Sequence, residues 1–227
     1  MSLLSCQSLR VGYARKALLP AVDITVEPGQ FWAVLGRNGA GKTTLFRTLL
    51  GLQKPVSGSV TLSTQPAYLA QRLAFDPLYP VRVRELVESG TIHGWSFLRP
   101  LANPVDEALE ATGIADLADR TFRSLSGGQK QRALFARMLA TGSKLVFLDE
   151  PTVGMDAVAE REVMELLARL RVEYELTVVV VTHFLDVARA HADNVLFLDK
   201  DDQNIVSGPL DEVFAHPAFQ ARYGQVL

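Results

Sequence analysis

The chain has 227 residues, a formal net charge of −2 and 48% hydrophobic residues, which are ordinary values for a globular protein. This length accommodates one large domain or a domain with an inserted lobe. The small net charge excludes a global attraction to nucleic acid or to an anionic membrane. A single cysteine, Cys6, excludes an internal disulfide and fits a reducing compartment. Because we find neither a secretion signal nor an apolar stretch of about eighteen residues, we expect a soluble, cytoplasmic chain that reaches a membrane only through a partner.

Short alternating segments precede the first long apolar run. Residues 3–5, 8–11 and 21–26 alternate apolar and polar side chains, and Pro28-Gly29 ends the last segment. This pattern predicts a hairpin-like antiparallel β layer at the N-terminus. The apolar run 31–35 then predicts a strand.

A glycine-rich turn follows that strand and precedes a predicted helix over residues 44–50. The turn reads Gly36-Arg37-Asn38-Gly39-Ala40-Gly41-Lys42-Thr43, which matches the pattern G-x-x-x-x-G-K-[ST]. Its glycines let the backbone turn tightly around a phosphate, and the positive end of the helix dipole lies beneath the amides. The pattern places Lys42 at the β- and γ-phosphates and the Thr43 hydroxyl on Mg²⁺. The stretch therefore predicts a nucleotide-phosphate loop.

The character of the sequence changes between about residues 76 and 139. Short strands are predicted at 59–62 and 67–69, and helices at 83–89, 105–111 and 115–118. We interpret the chain as a single domain, 1–227, with a core over about 1–75 and 140–215. An inserted α-helical lobe covers about 76–139, and a short C-terminal tail covers 216–227.

Strands and helices alternate again in the second half of the core. The predicted strands are 145–148, 177–181, 195–198 and 204–206, and the predicted helices are 157–173, 184–190 and a last one starting at 211–214. Alternation of this kind around a phosphate loop predicts an α/β fold, a P-loop NTPase core with a mostly parallel sheet.

Two carboxylates follow the apolar strand 145–148. In phosphate-loop enzymes an aspartate at this place, here Asp149, holds Mg²⁺ opposite the loop hydroxyl. Glu150, one residue later, is placed to orient or deprotonate an attacking water.

The segment Leu125-Ser126-Gly127-Gly128-Gln129 opens another predicted helix. Ser126 is a suitable N-cap, because residues 129–136 are plainly helical. Two glycines in the first turn cost roughly 1 kcal/mol each, so they indicate close approach of a ligand, best an anion.

The phosphate loop, residues 125–129 and residues 145–150 occur in the order and spacing of the nucleotide-binding domain of ABC transporters, which this chain resembles from about residue 3 to 215. The resemblance implies that Tyr13 stacks on adenine, that Gln71 joins core and lobe, that Asp156 lies in a dimer-contact loop, and that His183 steadies the γ-phosphate and the attacking water.

The resemblance also implies the composition of a site for ATP and Mg²⁺. The catalytic residues are Glu150 as general base, His183 and Gln71, and the Mg²⁺ ligands are Thr43, Gln71 and Asp149. The residues that contact the nucleotide are Tyr13, Gly36, Arg37, Asn38, Gly39, Ala40, Gly41, Lys42, Thr43, Thr44, Ser126, Gly127, Gly128, Gln129 and Asp156.

In this family, two such domains face each other head to tail and sandwich each ATP. The resemblance therefore implies a homodimer, or a heterodimer with a homologous ATPase, attached peripherally to the inner face of the cell membrane. The implied partners are an integral membrane permease and an extracytoplasmic substrate-binding protein, with no nucleic acid.

The lobe resembles the zinc/manganese/iron type of importer in residues 75–90 and on through Trp95 to Arg99-Pro100. Ala70, Met155 and Phe184 depart from the usual family pattern, but none removes a catalytic group. Import of a metal ion or metal chelate is the first expectation for the cargo. A vitamin, a siderophore or a lipid is the alternative.

Two other classes stay open. One is an ABC-type ATPase without a transport role, and the other is an unrelated phosphate-loop kinase or GTPase. The first class usually carries a long coiled coil or two cassettes, and the chain shows neither. The segment 125–129 and the absence of a guanine-binding motif disfavour the second.

Overall fold

The computed structural model of the protein describes residues 1–71, 80–91 and 104–224. Part of the segment on which the resemblance to metal importers rests, including Trp95 and Arg99-Pro100, lies outside these residues. The predicted loop between the helices of the lobe lies largely outside them as well.

A six-stranded sheet forms the centre of the described chain, in the order β11-β10-β5-β9-β8-β7. These strands are β5 (Phe31–Gly36), β7 (Ala67–Leu69), β8 (Leu145–Asp149), β9 (Thr177–Val181), β10 (Asn194–Asp199) and β11 (Asn204–Pro209). All neighbours pair in parallel except β10 and β11. β5, β8 and β9 are buried along their whole length, which explains their continuous apolar sequences. The predicted α/β fold with a mostly parallel sheet is confirmed.

A second, antiparallel sheet of three strands lies at the N-terminus in the order β4-β1-β6, and this predicted layer is confirmed as well. Its strands are β1 (Leu4–Arg10), β4 (Val22–Val26) and β6 (Ser57–Leu62). The two segments predicted at 3–5 and 8–11 are one strand, whose register shifts at a bulge where Ser8 has φ +46°. A small hairpin, β2 (Gly12–Tyr13) and β3 (Lys16–Ala17), follows it and was not predicted.

Eight α-helices are described. They are α1 (Lys42–Leu49), α2 (Val83–Glu88), α3 (Pro104–Ala111), α4 (Gly127–Ala140), α5 (Ala157–Glu173), α6 (Leu185–His191), α7 (Leu210–Ala215) and α8 (Pro217–Tyr223). In the described parts of the chain, no helix combines the length and the apolar character needed to cross a membrane.

The apolar core is divided by the central sheet. On one side, α1 and the N-terminal sheet pack through residues such as Phe46 and Val22. On the other, α2, α3 and α4 share one continuous cluster with the sheet, which joins Leu86 and Phe135 to Val178. The helices predicted as a lobe are therefore packed directly on the core.

The last two helices pack against β10 and β11 at one end of the central sheet. Phe219 of α8 is fully buried and packs edge-on against Phe197 and face-on against Phe214. The C-terminal tail predicted over 216–227 thus contains a packed helix that sequence patterns did not reveal.

Candidate functional site

The glycine-rich turn connects the end of β5 to the start of α1. A Cβ on Gly36 would lie 2.6 Å from the carbonyl oxygen of Leu198, so only glycine fits this close approach. Gly41, the N-cap of α1, has φ +95°, a left-handed conformation that favours glycine. No side chain caps α1, so its first amides are available to an anionic ligand.

Lys42 lies beneath this loop and is buried. Its Nζ donates hydrogen bonds to the carbonyl oxygens of Gly36 (2.7 Å) and Arg37 (3.1 Å), and lies 3.9 Å from a carboxylate oxygen of Glu150. Burial lowers the pKa of Lys42, and the charges of Glu150 and Asp149 oppose that shift. The ammonium is therefore held in place, with two carboxylates keeping it charged.

Asp149 ends β8 and is buried. Burial raises its pKa, as does the charge of Glu150, while hydrogen bonding to Thr43 and Tyr68 and the charge of Lys42 lower it. The desolvated Asp149 carboxylate and the Thr43 hydroxyl beside it are hard oxygen donors, which is the type of ligand that Mg²⁺ prefers. These two residues fit the ion that the sequence predicts for them.

Tyr68 was missed by the sequence analysis. Its hydroxyl donates to Asp149 Oδ2 over 3.5 Å, and burial, followed by the charge of Asp149, raises the pKa of Tyr68 to about 12. No sequence signal could have found it, because the contact depends on β7 pairing beside β8.

Glu150 adopts a left-handed backbone with φ +50°, although it is not glycine. Such a conformation costs on the order of 1–3 kcal/mol and is typical of functional sites. Gln71 Nε2 donates to Glu150 Oε2 over 2.6 Å, which joins two residues 79 positions apart. The structure thus brings Gln71 to the predicted catalytic carboxylate.

His183 follows the last residue of β9 by two positions and lines a cavity of about 840 Å³. The phosphate loop forms one wall of this cavity through Gly36, Arg37, Asn38, Gly39 and Ala40. Glu150, Val153, His183 and a group of residues around β10 and α8 complete the lining. Glu150 and His183 therefore share one cavity with the loop.

The far wall of the cavity carries an ionic cluster that sequence reasoning did not find. Arg222 of α8 bonds to Asp199 (2.5 Å) and Asp202 (3.0 Å), and Arg37 of the loop lies 3.5 Å from Asp201. The cluster forms because β10 lies beside β5 and α8 packs against β10. Neither contact is indicated by a local pattern in the sequence.

Tyr13 lies in the β2–β3 hairpin and does not line this cavity. Its hydroxyl shares a hydrogen bond of 3.0 Å with the hydroxyl of Thr44, and 55% of its surface is exposed. Ala14 and Arg15, which turn the hairpin, both have left-handed φ. The structure thus presents an exposed aromatic ring beside α1, available for stacking on a base.

Ser126 caps α4 as predicted. Its hydroxyl accepts from the amide of Gln129 (3.3 Å), and the Gln129 side chain accepts from the amide of Ser126 (3.0 Å), which completes a capping box. A Cβ on Gly127 or Gly128 would meet no atom of the described chain within 4 Å. None of residues 126–129 lines the cavity at the phosphate loop. The described chain therefore does not itself require these glycines and does not bring them to its own loop.

Asp156 caps α5 by accepting from the amides of Val158 (3.0 Å) and Ala159 (2.9 Å). Exposed apolar side chains lie on either side of it, Val153 at 48% and Val158 at 70%. This structural role is compatible with the predicted dimer-contact loop, since the surface around Asp156 is partly apolar and uncovered.

A family model described as ABC transporter matches residues 19–153. The chain is 34% identical over 226 residues to the zinc import ATP-binding protein ZnuC of Pseudomonas fluorescens, with 99% of this chain and 83% of the relative covered. It is 35% identical to the manganese transport system ATP-binding protein MntB of Bacillus subtilis, with 96% and 90% covered. Among solved structures, it is similar to a transporter provisionally described as a metal-chelate type ABC transporter in an inward-facing conformation. In that comparison the TM-score is 0.87 and the identity 30%, with 99% of this chain and 90% of that chain covered.

Proposed function

Because the chain belongs to the ABC transporter family, as an ATP-binding subunit and an ATPase, we propose that it hydrolyses ATP at a site shared by two subunits to drive metal import. The observation that best supports a site shared by two subunits concerns Gly127 and Gly128. They cost helix stability, have empty space around them, and lie away from the loop of their own chain. An anion bound to the phosphate loop of a second subunit would fill that space.

The nucleotide would extend from Tyr13 to the phosphate loop. The exposed Tyr13 ring would stack on the adenine, and Thr44, which shares a hydrogen bond with it, would lie beneath the ribose and phosphates. The amides of residues 36–41 and the ammonium of Lys42 would bind the phosphates. The Lys42 ammonium would interact strongly with the phosphates, because it is buried and its charge is already desolvated.

Thr43 and Asp149 would hold Mg²⁺, joined by the Gln71 amide. When bound, the ion would neutralise negative charge that develops on the β- and γ-phosphates. Burial disfavours the charged form of Asp149, and the positive charge of the bound ion would compensate for this.

Hydrolysis would use the groups that line the cavity. Glu150 would accept a proton from a water molecule as the water oxygen bonds to the γ-phosphorus and the bond to the β–γ bridging oxygen breaks. His183 would steady the γ-phosphate and the water. The hydrogen bond from Gln71 would hold the Glu150 carboxylate in one orientation, which makes Gln71 part of the machinery.

Closure would place Ser126, Gly127, Gly128 and Gln129 of one subunit against the ATP of the other. Asp156 and its exposed apolar neighbours would lie in the same interface. We infer a homodimer, or a heterodimer with a homologous ATPase, because each chain supplies one half of a site. The helices of the lobe, about 76–139, together with Gln71 would contact a permease and keep the dimer at the inner face of the membrane. An extracytoplasmic substrate-binding protein would complete the system.

For the cargo we propose a divalent metal ion, zinc or manganese, or a metal chelate. Similarity to ZnuC and MntB over nearly the whole chain supports this, as does similarity to the metal-chelate type transporter. Deleting the gene in its own host and measuring uptake of labelled zinc, manganese and chelated iron would test it. Unchanged uptake of all three would contradict the proposal.

Glu150→Gln tests the shared site and the general base together. Glutamine keeps an oxygen that can accept from Gln71, so ATP binding should persist, while loss of the base should lower kcat at least about a hundredfold. The variant should form a dimer with ATP, measured by size-exclusion chromatography with light scattering.

Glu175→Gln is the matched control. Glu175 has nearly the same left-handed backbone, φ +51°, but its side chain is 86% exposed. It should keep the kcat of the parent protein. A Glu150→Gln variant that hydrolyses ATP at the parent rate would overturn the base assignment, and one that binds ATP as a monomer would overturn the shared site.

A further inference from the structure

Two cavities meet at residues 183 and 184. His183 lines the cavity at the phosphate loop, and Phe184 lines a second cavity of about 400 Å³ between α5 and α6. The centroids of their rings are 3.9 Å apart, and the ring planes are inclined by 37°. The two rings in contact therefore form part of the wall between the cavities.

The backbone of Phe184 is held by a hydrogen bond on each side of its Cα atom. Its amide donates to the hydroxyl of Thr182 (3.1 Å), a buried residue that follows β9, and its carbonyl accepts from the amide of Ala188 in α6 (3.4 Å). The His183 imidazole has no hydrogen-bond partner within the described chain, and the residue is exposed. The ring contact with Phe184 is thus a direct packing contact of the imidazole in the described chain.

The second cavity offers the imidazole a competing position. Glu160 and Asp186 line it together with Phe184. The Glu160 carboxylate accepts a hydrogen bond from the Thr152 hydroxyl (3.3 Å), and it lies near enough to the His183 side chain for an electrostatic interaction. Without the Phe184 ring between the cavities, the imidazole could turn toward these carboxylates and leave the phosphate loop.

We propose that Phe184 is a positioning residue, whose ring holds the His183 imidazole toward the phosphate loop and away from Glu160 and Asp186. The inference rests on the proposed function, in which His183 steadies the γ-phosphate. Phe184 acts only through His183 and touches no reacting atom. A displaced imidazole weakens catalysis more than ATP binding, since binding depends mainly on the loop, on Lys42 and on Tyr13.

The test compares Phe184→Leu, which removes the ring but keeps an apolar side chain, with Phe184→Tyr, which keeps the ring. Steady-state ATPase kinetics of the full chain should show a kcat about tenfold lower for Phe184→Leu, with KM within about twofold of the parent value. Phe184→Tyr should retain at least half of the parent kcat. In a His183→Ala background, Phe184→Leu should cause no further loss.

A structural readout accompanies the kinetics. In the nuclear magnetic resonance spectrum of the full chain, the imidazole protons of His183 should lose their ring-current shift in Phe184→Leu and keep it in Phe184→Tyr. Unchanged imidazole shifts, or a parent-like kcat in Phe184→Leu, would overturn the positioning role alone. A further loss in the His183→Ala background would overturn it also, because the ring would then act elsewhere. If His183→Ala itself keeps the parent kcat, the role of His183 in the proposed function fails, and this inference fails with it.

Discussion

Replacing Gly128 with alanine should stabilise the nucleotide-free chain and yet impair its activity. Gly128 lies in the first turn of α4, its φ is not in the left-handed region, and a Cβ there would meet no described atom within 4 Å. Alanine in a helix is favoured over glycine by about 0.5–1 kcal/mol. For a chain of this size that corresponds to an increase in Tm of about 1–4 °C. A methyl group would, however, intrude on the space proposed for the phosphate of the partner subunit, so kcat should fall at least about tenfold.

Two measurements test the expected rise in Tm and fall in kcat. Circular dichroism monitors thermal unfolding without nucleotide, and an ATPase assay gives kcat. Gly90→Ala is the control, because its Cβ would lie only 2.2 Å from the carbonyl oxygen of Arg137. That clash should lower Tm, as overpacking costs about 1–3 kcal/mol. If Gly128→Ala lowers Tm, the glycine is needed inside its own chain. If it raises Tm and leaves ATPase activity unchanged, no phosphate approaches this helix.

Arg222→Met should lower Tm at pH 7 several times more than Arg37→Met, because Arg222 bonds to the buried Asp199 whereas Arg37 faces an exposed carboxylate. Burial alone would raise the pKa of Asp199, but hydrogen bonds from Arg222 and neighbouring amides bring it below its ordinary value of 3.8. This stabilisation is present above pH 3.8 and is lost as the pH falls through the lowered pKa, so the difference between Arg222→Met and the parent should shrink in acid. Equal Tm losses for both variants would contradict this account. Cys6 should resist alkylation at pH 8 until the chain unfolds, since burial raises the pKa of its thiol to about 11, and rapid labelling of native protein in a mass spectrum would refute that.

The parts of the fold that the sequence predicted well are those with strong local patterns. The buried strands β5, β8 and β9 are continuous apolar runs, and the cap at Ser126 follows from the residue types at 126 and 129. The phosphate loop is marked by its own glycines. The resemblance to the ABC transporter family, which depended on these motifs, is confirmed.

The parts that the sequence did not predict depend on tertiary contacts or on unusual backbone. The β2–β3 hairpin turns on Ala14 and Arg15, and neither residue type favours the left-handed φ that it adopts. Helix α8 has seven residues and is stabilised by burial of Phe219 against Phe197, which no local pattern indicates. The hydrogen bond between Gln71 and Glu150 spans 79 positions, so only the folded chain brings them together.

That hydrogen bond links Gln71, at the predicted junction of core and lobe, to the carboxylate proposed as the general base. Gln71 follows β7, which pairs with β8, and β8 leads into Asp149 and Glu150. The amide of Glu150 is itself bonded to the carbonyl of Val181, two residues before His183, and this holds its backbone in the left-handed conformation. Since the backbone is held, the remaining freedom of Glu150 is in its side chain, which is restrained by the hydrogen bond from Gln71 and by the Lys42 ammonium 3.9 Å away. If the proposed permease shifted Gln71, the orientation of the proposed base would change, and transport would then be coupled to hydrolysis through this hydrogen bond.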